Sequence, residues 1–428
     1  MDKTLRVGIA GLGHVGADVF RLLHEHADLL SDRTHRRIVV TAVSARDKTK
    51  DRGIDLSSVT WHDDPAAMAG DDNVDLIVEL MGGAEGAAFD LVKKALEAGK
   101  SVVTANKALV ALRAPDLLSI LENGKGAIAY EAAVAGGVPV IKGLREGLTG
   151  NEVRAVYGIL NGTCNYILSE MTATGRDFED VLKEAQAKGY AEADPSFDVD
   201  GIDTGHKTAI LAGIAFGCVP DFKSVSIEGI RGITPLDIQF ADELGFRIKL
   251  LGIARQTEDG IAQSVEPCLV PKNTPVANVE GPLNAVYVDG DYVEKVLFVG
   301  AGAGGRPTAS AVVADIVDMA CDQYLPLMGT YKPAKLKPAD MGARIGSYYL
   351  RLNVLDKPGV IADVSAILRD NRVSLETVLQ RGRDPGQPVQ VILTTHESTE
   401  NAIKAVTQQI AALDAAVEPP HVMRIEGF

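Results

Sequence analysis

Cysteine is scarce in this chain. Only Cys164, Cys218, Cys268 and Cys321 occur in 428 residues. They lie far apart and form no C-x-x-C pair, which excludes a disulfide framework and a cysteine-based zinc site. Positive charge is also short: 43 Lys and Arg stand against 58 Asp and Glu, a formal net charge of -15. Nucleic acid and anionic membranes reward basic surfaces, so neither is expected as a partner. No apolar run approaches the ~18 residues needed to span a bilayer. The opening MDKTLRVGIAG runs straight into a strand-like segment with no basic-then-apolar leader, so a cytoplasmic protein is expected. What remains is ordinary for a soluble globular chain, 46% hydrophobic and 24% charged. Its length calls for two or three domains.

Taken in order, residues 5–10 (LRVGIA) form a short apolar strand leading into Gly11-Leu12-Gly13-His14-Val15-Gly16 and then an apolar helical pattern. G-x-G-x-x-G between strand and helix suits a dinucleotide. The first glycine makes the tight turn, the second lets backbone approach a pyrophosphate, and the third lets helix pack on strand. A structural glycine turn is the alternative. The second strand, residues 38–43, ends without the Asp or Glu that would bind an NAD ribose; Arg46 and Lys48 follow, and arginine there can pair with a 2′-phosphate. The reading leans to NADP, with NAD the other candidate and a plain surface arginine the bland alternative. Strand 74–80, helix 89–98 and strand 101–104 continue a Rossmann-type alternation. Thr104 ends the last strand, and Lys107 just beyond it is expected near the nicotinamide rather than merely solvated.

The loop Tyr130-Glu131-Ala-Ala-Val134-Ala-Gly136-Gly137-Val138-Pro139 either turns the chain or offers oxygen ligands to a hard cation. A second domain starts at about residue 136. Its strand 153–160 leads to Asn161-Gly-Thr-Cys164, where the cysteine is a candidate nucleophile or, more commonly, a buried thiol. Strand 296–299 precedes the glycine-rich loop containing Gly302 and Gly304. The helix that follows is expected to rejoin the first domain, with the loop closing over cofactor or serving only as a rigid turn. Residues 331–346, with two prolines and four basic residues, read as a linker. Residues 347–428 follow as a β-α-β-β-α-β, ferredoxin-like module.

The stretch that organises these parts is 189–207, GYAEADPSFDVDGIDTGHK. Five carboxylates, Glu192, Asp194, Asp198, Asp200 and Asp203, precede Lys207. Pro195 and Gly201 are expected to keep the chain irregular up to Gly201, with Asp200 then capping a helix. On that helix Asp203 and Lys207 are four apart and share the face of Ile210, Leu211 and Ile214, so the lysine sits on the apolar stripe. Such an amine can serve a reacting oxygen while the acids hold an ammonium group. The bland reading is an exposed helix pair, worth roughly 0.3–0.5 kcal/mol.

The motifs GLGHVG, VTANKALVA, YEAAVAGGVP, GILNGTCNYIL, GYAEADPSFDVDGIDTGHK and GAGAGGRPTASAVVADI together resemble homoserine dehydrogenases of the long bacterial type, across nearly the whole chain. The last module, with its DKPGVIADV loop, resembles an ACT domain. The resemblance implies a Rossmann-type NAD(P)-binding domain (1–135, completed by about 301–330), an α+β catalytic and dimerisation domain (136–300), a linker (331–346) and a ferredoxin-like ACT domain (347–428). It implies interconversion of L-homoserine and L-aspartate 4-semialdehyde on the route to threonine, isoleucine and methionine. Lys207 would be the proton donor, Lys107 would lie beside nicotinamide and substrate, and Glu192, Asp198 and Asp203 would bind the amino acid. The cofactor would meet residues 11–16, Arg46, Thr104, Gly189, Gly302 and Gly304. A sodium ion would sit at Glu131 and the backbone oxygens of Val134, Gly136 and Val138. An amino-acid effector, L-threonine foremost, would bind near Asp356 and Gly359, and a homodimer or homotetramer is expected. Two other readings stay open: a phosphorylating aldehyde dehydrogenase acting through Cys164, and a catalytically silent NADP and amino-acid sensor. Removal of residues 340–428 is expected to abolish inhibition by threonine and spare catalysis, provided the truncated chain stays folded and soluble.

Overall fold

The computed structural model describes residues 4–124, 126–381 and 386–428. The first element, β1 (Thr4–Ala10), is fully buried from Val7 to Ala10 and runs into the glycine turn before α1 (His14–Glu25). There follow α2 (Ala27–Thr34), β2 (Arg37–Ser44), β3 (Thr60–Trp61), β4 (Leu76–Glu79), α3 (Ala87–Glu97), β5 (Ser101–Thr104), α4 (Lys107–Asn123) and β6 (Ile128–Ala129). The six strands lie in the order β3-β2-β1-β4-β5-β6, all neighbours parallel. The order reverses between β1 and β4, and ligands bind such sheets outside the carboxyl ends of the strands at that switch point.

Beyond β6 a single turn at Glu131–Ala133 and the short α5 (Val140–Lys142) lead into a second layer. It contains β7 (Val153–Ile159), α6 (Gly162–Thr174), α7 (Phe178–Ala187), α8 (Ser196–Val199), α9 (Ile202–Ala215), β8 (Ser226–Ile227), α10 (Pro235–Glu243), β9 (Phe246–Thr257), β10 (Gly260–Pro271), β11 (Leu283–Gly290) and β12 (Lys295–Ala301). Helix α9 is apolar nearly all round and buried from Asp203 to Ile214, wedged between β7, β9, β10 and α4 of the first unit. The next helix, α11 (Gly305–Ala320), returns to the first sheet, where Val312, Ile316 and Met319 join the core of Val7, Ile9 and Val19. That return was expected from its apolar periodicity.

The basic segment after α11 is strapped to the second layer rather than spanning free space. The amide of Ala334 donates to Gly217 O and that of Val219 to Ala334 O, each at 2.9 Å. Ile261 N donates to Lys337 O and Ala339 N to Ile261 O, also at 2.9 Å. Pro338 holds Lys337 extended, which presents its carbonyl to Ile261 of β10.

The C-terminal module comprises β13 (Ile345–Leu355), α12 (Val360–Asp370), β14 (Leu375–Gln380), β15 (Pro388–Thr395), β16 (Ser398–Thr399), α13 (Glu400–Ala411) and β17 (His421–Ile425). Apart from the two-residue β16, this is the expected order, with the four main strands arranged β17-β13-β15-β14. Its sheet is not separate. Strand β17 pairs in parallel with β10, Cys268 opposite Arg424 and Leu269 opposite Ile425, giving one 11-stranded sheet. Buried ion pairs line the seam. Arg424 donates to Glu426 at 2.6 Å, Arg255 pairs with the same carboxylate, and Arg344 joins Glu266 at 2.5 Å to Glu400 at 2.9 Å. Asp237 of α10, fully buried, accepts from Arg351 at 2.8 Å and Tyr349 at 3.2 Å.

Candidate active site

At the head of β1, Gly11 has φ +99, and an added Cβ would lie 2.5 Å from Leu80 O; a Cβ on Gly16 would lie 2.0 Å from Gly11 O. Only glycine lets α1 and β4 close on the loop in this way. Gly13, by contrast, faces open space, and no side chain caps the N-terminus of α1. First-turn amides with room before them suit a pyrophosphate. Leu12 is buried, while His14 opens the helix and Val15 packs against the core.

Two residues that the sequence pattern did not mark brace this loop and the one that follows β4. Arg52 donates to Leu12 O at 3.0 Å and stacks 5.8 Å from the Trp61 ring, which Lys48 approaches at 5.9 Å. The fully buried Glu79 ends β4 and accepts from the amides of Met81 (2.7 Å) and Gly82 (3.1 Å) and from the Thr104 hydroxyl (2.7 Å). Thr104 in turn accepts from Asn106 N at 3.0 Å, so its hydroxyl is engaged within the protein. Asn106 caps α4 by accepting from Leu109 N at 3.1 Å and donates to Gly83 O at 2.6 Å. Arg46 is exposed at the end of β2 and makes no ion pair among the described residues.

This network fixes the first turn of α4, from which Lys107 reaches across to α9. Its Nζ lies 2.9 Å from Asp203 Oδ1 and 5.5 Å from the Phe197 ring. Lys207, with 9% of its surface exposed, donates to Asp203 Oδ2 at 2.7 Å and to Leu160 O at 2.6 Å. Asn161, at the end of β7, gives its side-chain amide to Asp203 Oδ2 and to Asp198 Oδ1, both at 2.8 Å. One buried carboxylate thus holds two ammonium groups, one from each unit. Burial opposes ionisation of Asp203, but Lys207 and Lys107 outweigh it and hold the acid well below the usual carboxylate range. Burial lowers the pKa of Lys207, with Asp203 partly restoring it. Asp198 is pushed up by burial, against the Asn161 hydrogen bond.

The exposed-pair reading of Asp203 and Lys207 is therefore excluded. Two other expectations need correction. The stretch before α9 is not irregular, since α8 occupies Ser196–Val199, where Asp194 accepts from Ser196 N at 3.1 Å. Nor does Asp200 cap α9. Gly201 is the N-cap, and Asp200 instead takes Arg231 Nε at 2.5 Å. Glu192 is exposed, and its backbone oxygen, not its carboxylate, is bonded, to Gln186 at 3.0 Å. Its side chain stays outside the Lys207 network. Gly189 forms the turn after α7, beside Tyr190 O, which accepts from Thr163 at 2.7 Å.

His206 was missed because a histidine in an apolar run carries no periodic signature. It lies one residue from Lys207, its ring 4.4 Å from Phe222 and 5.7 Å from Phe197, and burial lowers its pKa. Cys164 lies inside α6 rather than at a strand end. Its fully buried thiol donates to Asp198 O at 3.3 Å, and burial drives its pKa well up. A thiol held protonated is a poor nucleophile.

The 130–138 loop packs beneath Gly302, whose carbonyl lies 2.4 Å from where a Cβ of Gly136 would stand. Glu131 accepts from Ile141 N (2.9 Å) and Lys142 N (2.7 Å), and burial pushes its pKa up to about 7. Among the described residues no cluster of three or more His, Cys, Asp or Glu side chains could hold a metal. Any ion here would depend on Glu131 and on backbone oxygens, hard donors of the kind that bind Na⁺ or Ca²⁺. Val138 O already accepts from Val140 N at 2.8 Å, which leaves a carbonyl lone pair for such an ion.

A dinucleotide loop, a lysine pair on a buried carboxylate and a ferredoxin-like module define a nicotinamide-dependent oxidoreductase with an appended C-terminal α+β unit. The chain belongs to the homoserine dehydrogenase family. Profiles described as "Homoserine dehydrogenase", "Homoserine dehydrogenase, NAD binding domain" and "ACT domain" match residues 139–317, 11–131 and 348–415. Homoserine dehydrogenases of Neisseria gonorrhoeae (42% identical) and Pseudomonas aeruginosa (43% identical) align over at least 99% of this chain and 99% of their own lengths. The crystal structure of a homoserine dehydrogenase from Thiobacillus denitrificans superposes with TM-score 0.94 at 42% identity, covering 99% of both chains. A hyperthermophilic archaeal homoserine dehydrogenase solved with NADPH matches at TM-score 0.65 and 25% identity over 76% of this chain and 99% of its own. Neither the phosphorylating nor the silent-sensor reading finds support in these relatives.

Proposed function

We propose a division of labour for the family's reaction, the nicotinamide-dependent interconversion of L-homoserine and L-aspartate 4-semialdehyde, in which Lys207 moves the proton and Asp203 poises it. The observation that carries this reading is the buried Lys107–Asp203–Lys207 bridge, which joins the carboxyl end of the dinucleotide sheet to α9. When bound, the nicotinamide supplies or accepts the hydride. Reduction of the semialdehyde builds negative charge on its carbonyl oxygen, which the Lys207 ammonium stabilises and then protonates; oxidation runs the same transfer in reverse. Asp203 keeps the amine charged until the proton is needed, and burial makes that proton easier to release. Lys107 adds a second cation at the mouth of the site. Asp203 and Asp198 beside it, with the exposed Glu192, are the carboxylates proposed for the substrate ammonium.

The cofactor reading favours NADP, since the exposed Arg46 and Lys48 follow β2. Sodium at Glu131, Val134, Gly136 and Val138 would neutralise a buried carboxylate that otherwise ionises poorly. At the ACT module the proposed effector is L-threonine, in the cleft lined by Asp356, Gly359, Val360, Gln380 and Val389. A homodimer or homotetramer is supported by β12, an edge strand of the long sheet on which Val299 and Ala301 are exposed. A cytoplasmic location fits the finding that no helix among the described residues is long and apolar enough to cross a membrane.

The decisive assay follows NADP reduction at 340 nm with L-homoserine, with and without phosphate and after treatment with iodoacetamide. Turnover independent of phosphate and insensitive to thiol alkylation is expected. Phosphate-dependent turnover lost on alkylation would return the chemistry to Cys164.

A further inference from the structure

We propose that Asn284, on β11, is a positioning residue that sets the proton affinity of Lys207 and ties it to the loop between β12 and α11. Its side chain is 1% exposed, and Nδ2 donates at 3.0 Å to Leu160 O, the carbonyl that also receives Lys207 Nζ at 2.6 Å. Oδ1 is buried and has no hydrogen-bond partner. A buried polar atom left unpaired costs about 1–3 kcal/mol, so its retention calls for an explanation.

The explanation lies on the other side of the amide. Gly302 presses against it so closely that a Cβ there would stand 2.0 Å from Asn284 Cγ and 2.1 Å from Oδ1. The same loop touches the dinucleotide end of the molecule, where a Cβ on Gly305 would lie 2.1 Å from Asp18 Oδ2 and 3.4 Å from His14 O. Asn284 thus joins the carbonyl under Lys207 to this loop.

The effect on Lys207 has a definite sign. An amide N–H shares the acceptor of the ammonium and brings its positive end near it, and both disfavour the protonated lysine. Asp203 on α9 and Asp198 on α8 act in the opposite sense, while Lys107 of α4 adds to the effect of Asn284. The neighbouring His206 also faces this group of charges. Removing the Asn284 donor therefore raises the pKa of Lys207, which slows homoserine oxidation at fixed pH and is undone by raising the pH.

This inference rests on Lys207 as the proton carrier, so the test begins there: kcat for homoserine oxidation in the wild type should rise with pH along a limb that Lys207→Arg abolishes or displaces. A limb unchanged by Lys207→Arg would overturn the proton-carrier role itself and leave Asn284 nothing to act on. Given that limb, Asn284→Ala should move it upward and lower kcat at pH 8 roughly threefold to tenfold, with the KM for homoserine within about twofold and full recovery at high pH. Asn284→Asp, which keeps the shape but exchanges the donor for a negative charge, should move the limb further, by about one unit or more. Gly302→Ala, by displacing the amide, should reproduce the alanine phenotype, and the Asn284→Ala/Gly302→Ala double variant should be no worse than either single one. Thermal melts of each variant separate misfolding from mispositioning, and Asn284→Asp carries the test if the alanine variant does not fold. Limbs that stay in place in the folded Asn284 variants, or additive losses in the double variant, would overturn the proposal.

Discussion

Lys207 is the residue on which the chemistry turns, and its replacement is the plainest expectation. Lys207→Ala should leave the dissociation constant for NADP unchanged and lower kcat by the ~10²–10⁴ typical of a lost general acid. Stopped-flow single turnovers measure that loss apart from product release. Arg46→Ala should raise KM for NADP and hardly touch that for NAD; equal effects would remove the 2′-phosphate argument. Lys249 tests burial without catalysis. It donates to Val279 O at 2.6 Å and to Asn165 at 3.2 Å with no carboxylate bonded to it among the described residues, and burial lowers its pKa to about 8. In the unfolded chain it titrates near its ordinary value, so between about pH 8 and pH 10.5 the unfolded state binds more protons and stability rises with pH. Lys249→Met should lack that rise, and the difference in urea midpoints between wild type and variant should change across this window. Equal pH profiles would show that the amine stays charged in the fold.

At the scale of elements, the sequence made the local units legible and the contacts between them much less so. The strand-glycine-helix passage at Gly11–Gly16 could be read because its three constraints are local, as could the pairing of Asp203 with Lys207 four residues on. Lys107 could be placed at a strand end, but not against Asp203, because that ion pair joins α4 to α9. Glu79, Asn161 and Asn284 escaped for the same reason. Each is one polar residue at or near a strand end, and its role exists only through partners brought up by other elements. The seam between β10 and β17 was invisible too, since pairing leaves no trace in alternation. It has an energetic consequence. Glu426, 2% exposed, is the shared partner of Arg424 and Arg255. Glu426→Gln would leave two partly or fully buried guanidinium groups short of charge, and breaking such a pair typically costs about 3–5 kcal/mol. Denaturant titration should show the midpoint falling with little change in slope.

The whole molecule revises the expectation for truncation. Deleting residues 340–428 would uncover β10, leave Glu266 and Asp237 without their arginines, and remove Phe428, whose ring lies 4.9 Å from those of Tyr157 and Tyr287. Loss of solubility or of the cooperative transition is the expected result, so truncation cannot isolate regulation. Gly359, at φ +96 before α12, offers the cleaner test. Gly359→Val should distort the effector cleft, abolish inhibition by millimolar threonine and keep kcat, because the seam is untouched. An enzyme insensitive to threonine, isoleucine, methionine and lysine from the start would make the module a structural buttress alone.

The parallel pairing of β17 with β10 also sets a schedule for synthesis. A nascent chain that has emerged through β12 and α11 holds every residue of the lysine bridge, yet β10 still waits for a neighbour that the ribosome has not made. Pairing across so long a loop is slow to find, and an uncovered strand invites the wrong partner in the meantime. Chaperone dependence should therefore peak while residues between α11 and β17 are being translated. Activity in a cell-free reaction should appear only after residue 428 has been added, not when the last active-site residue has.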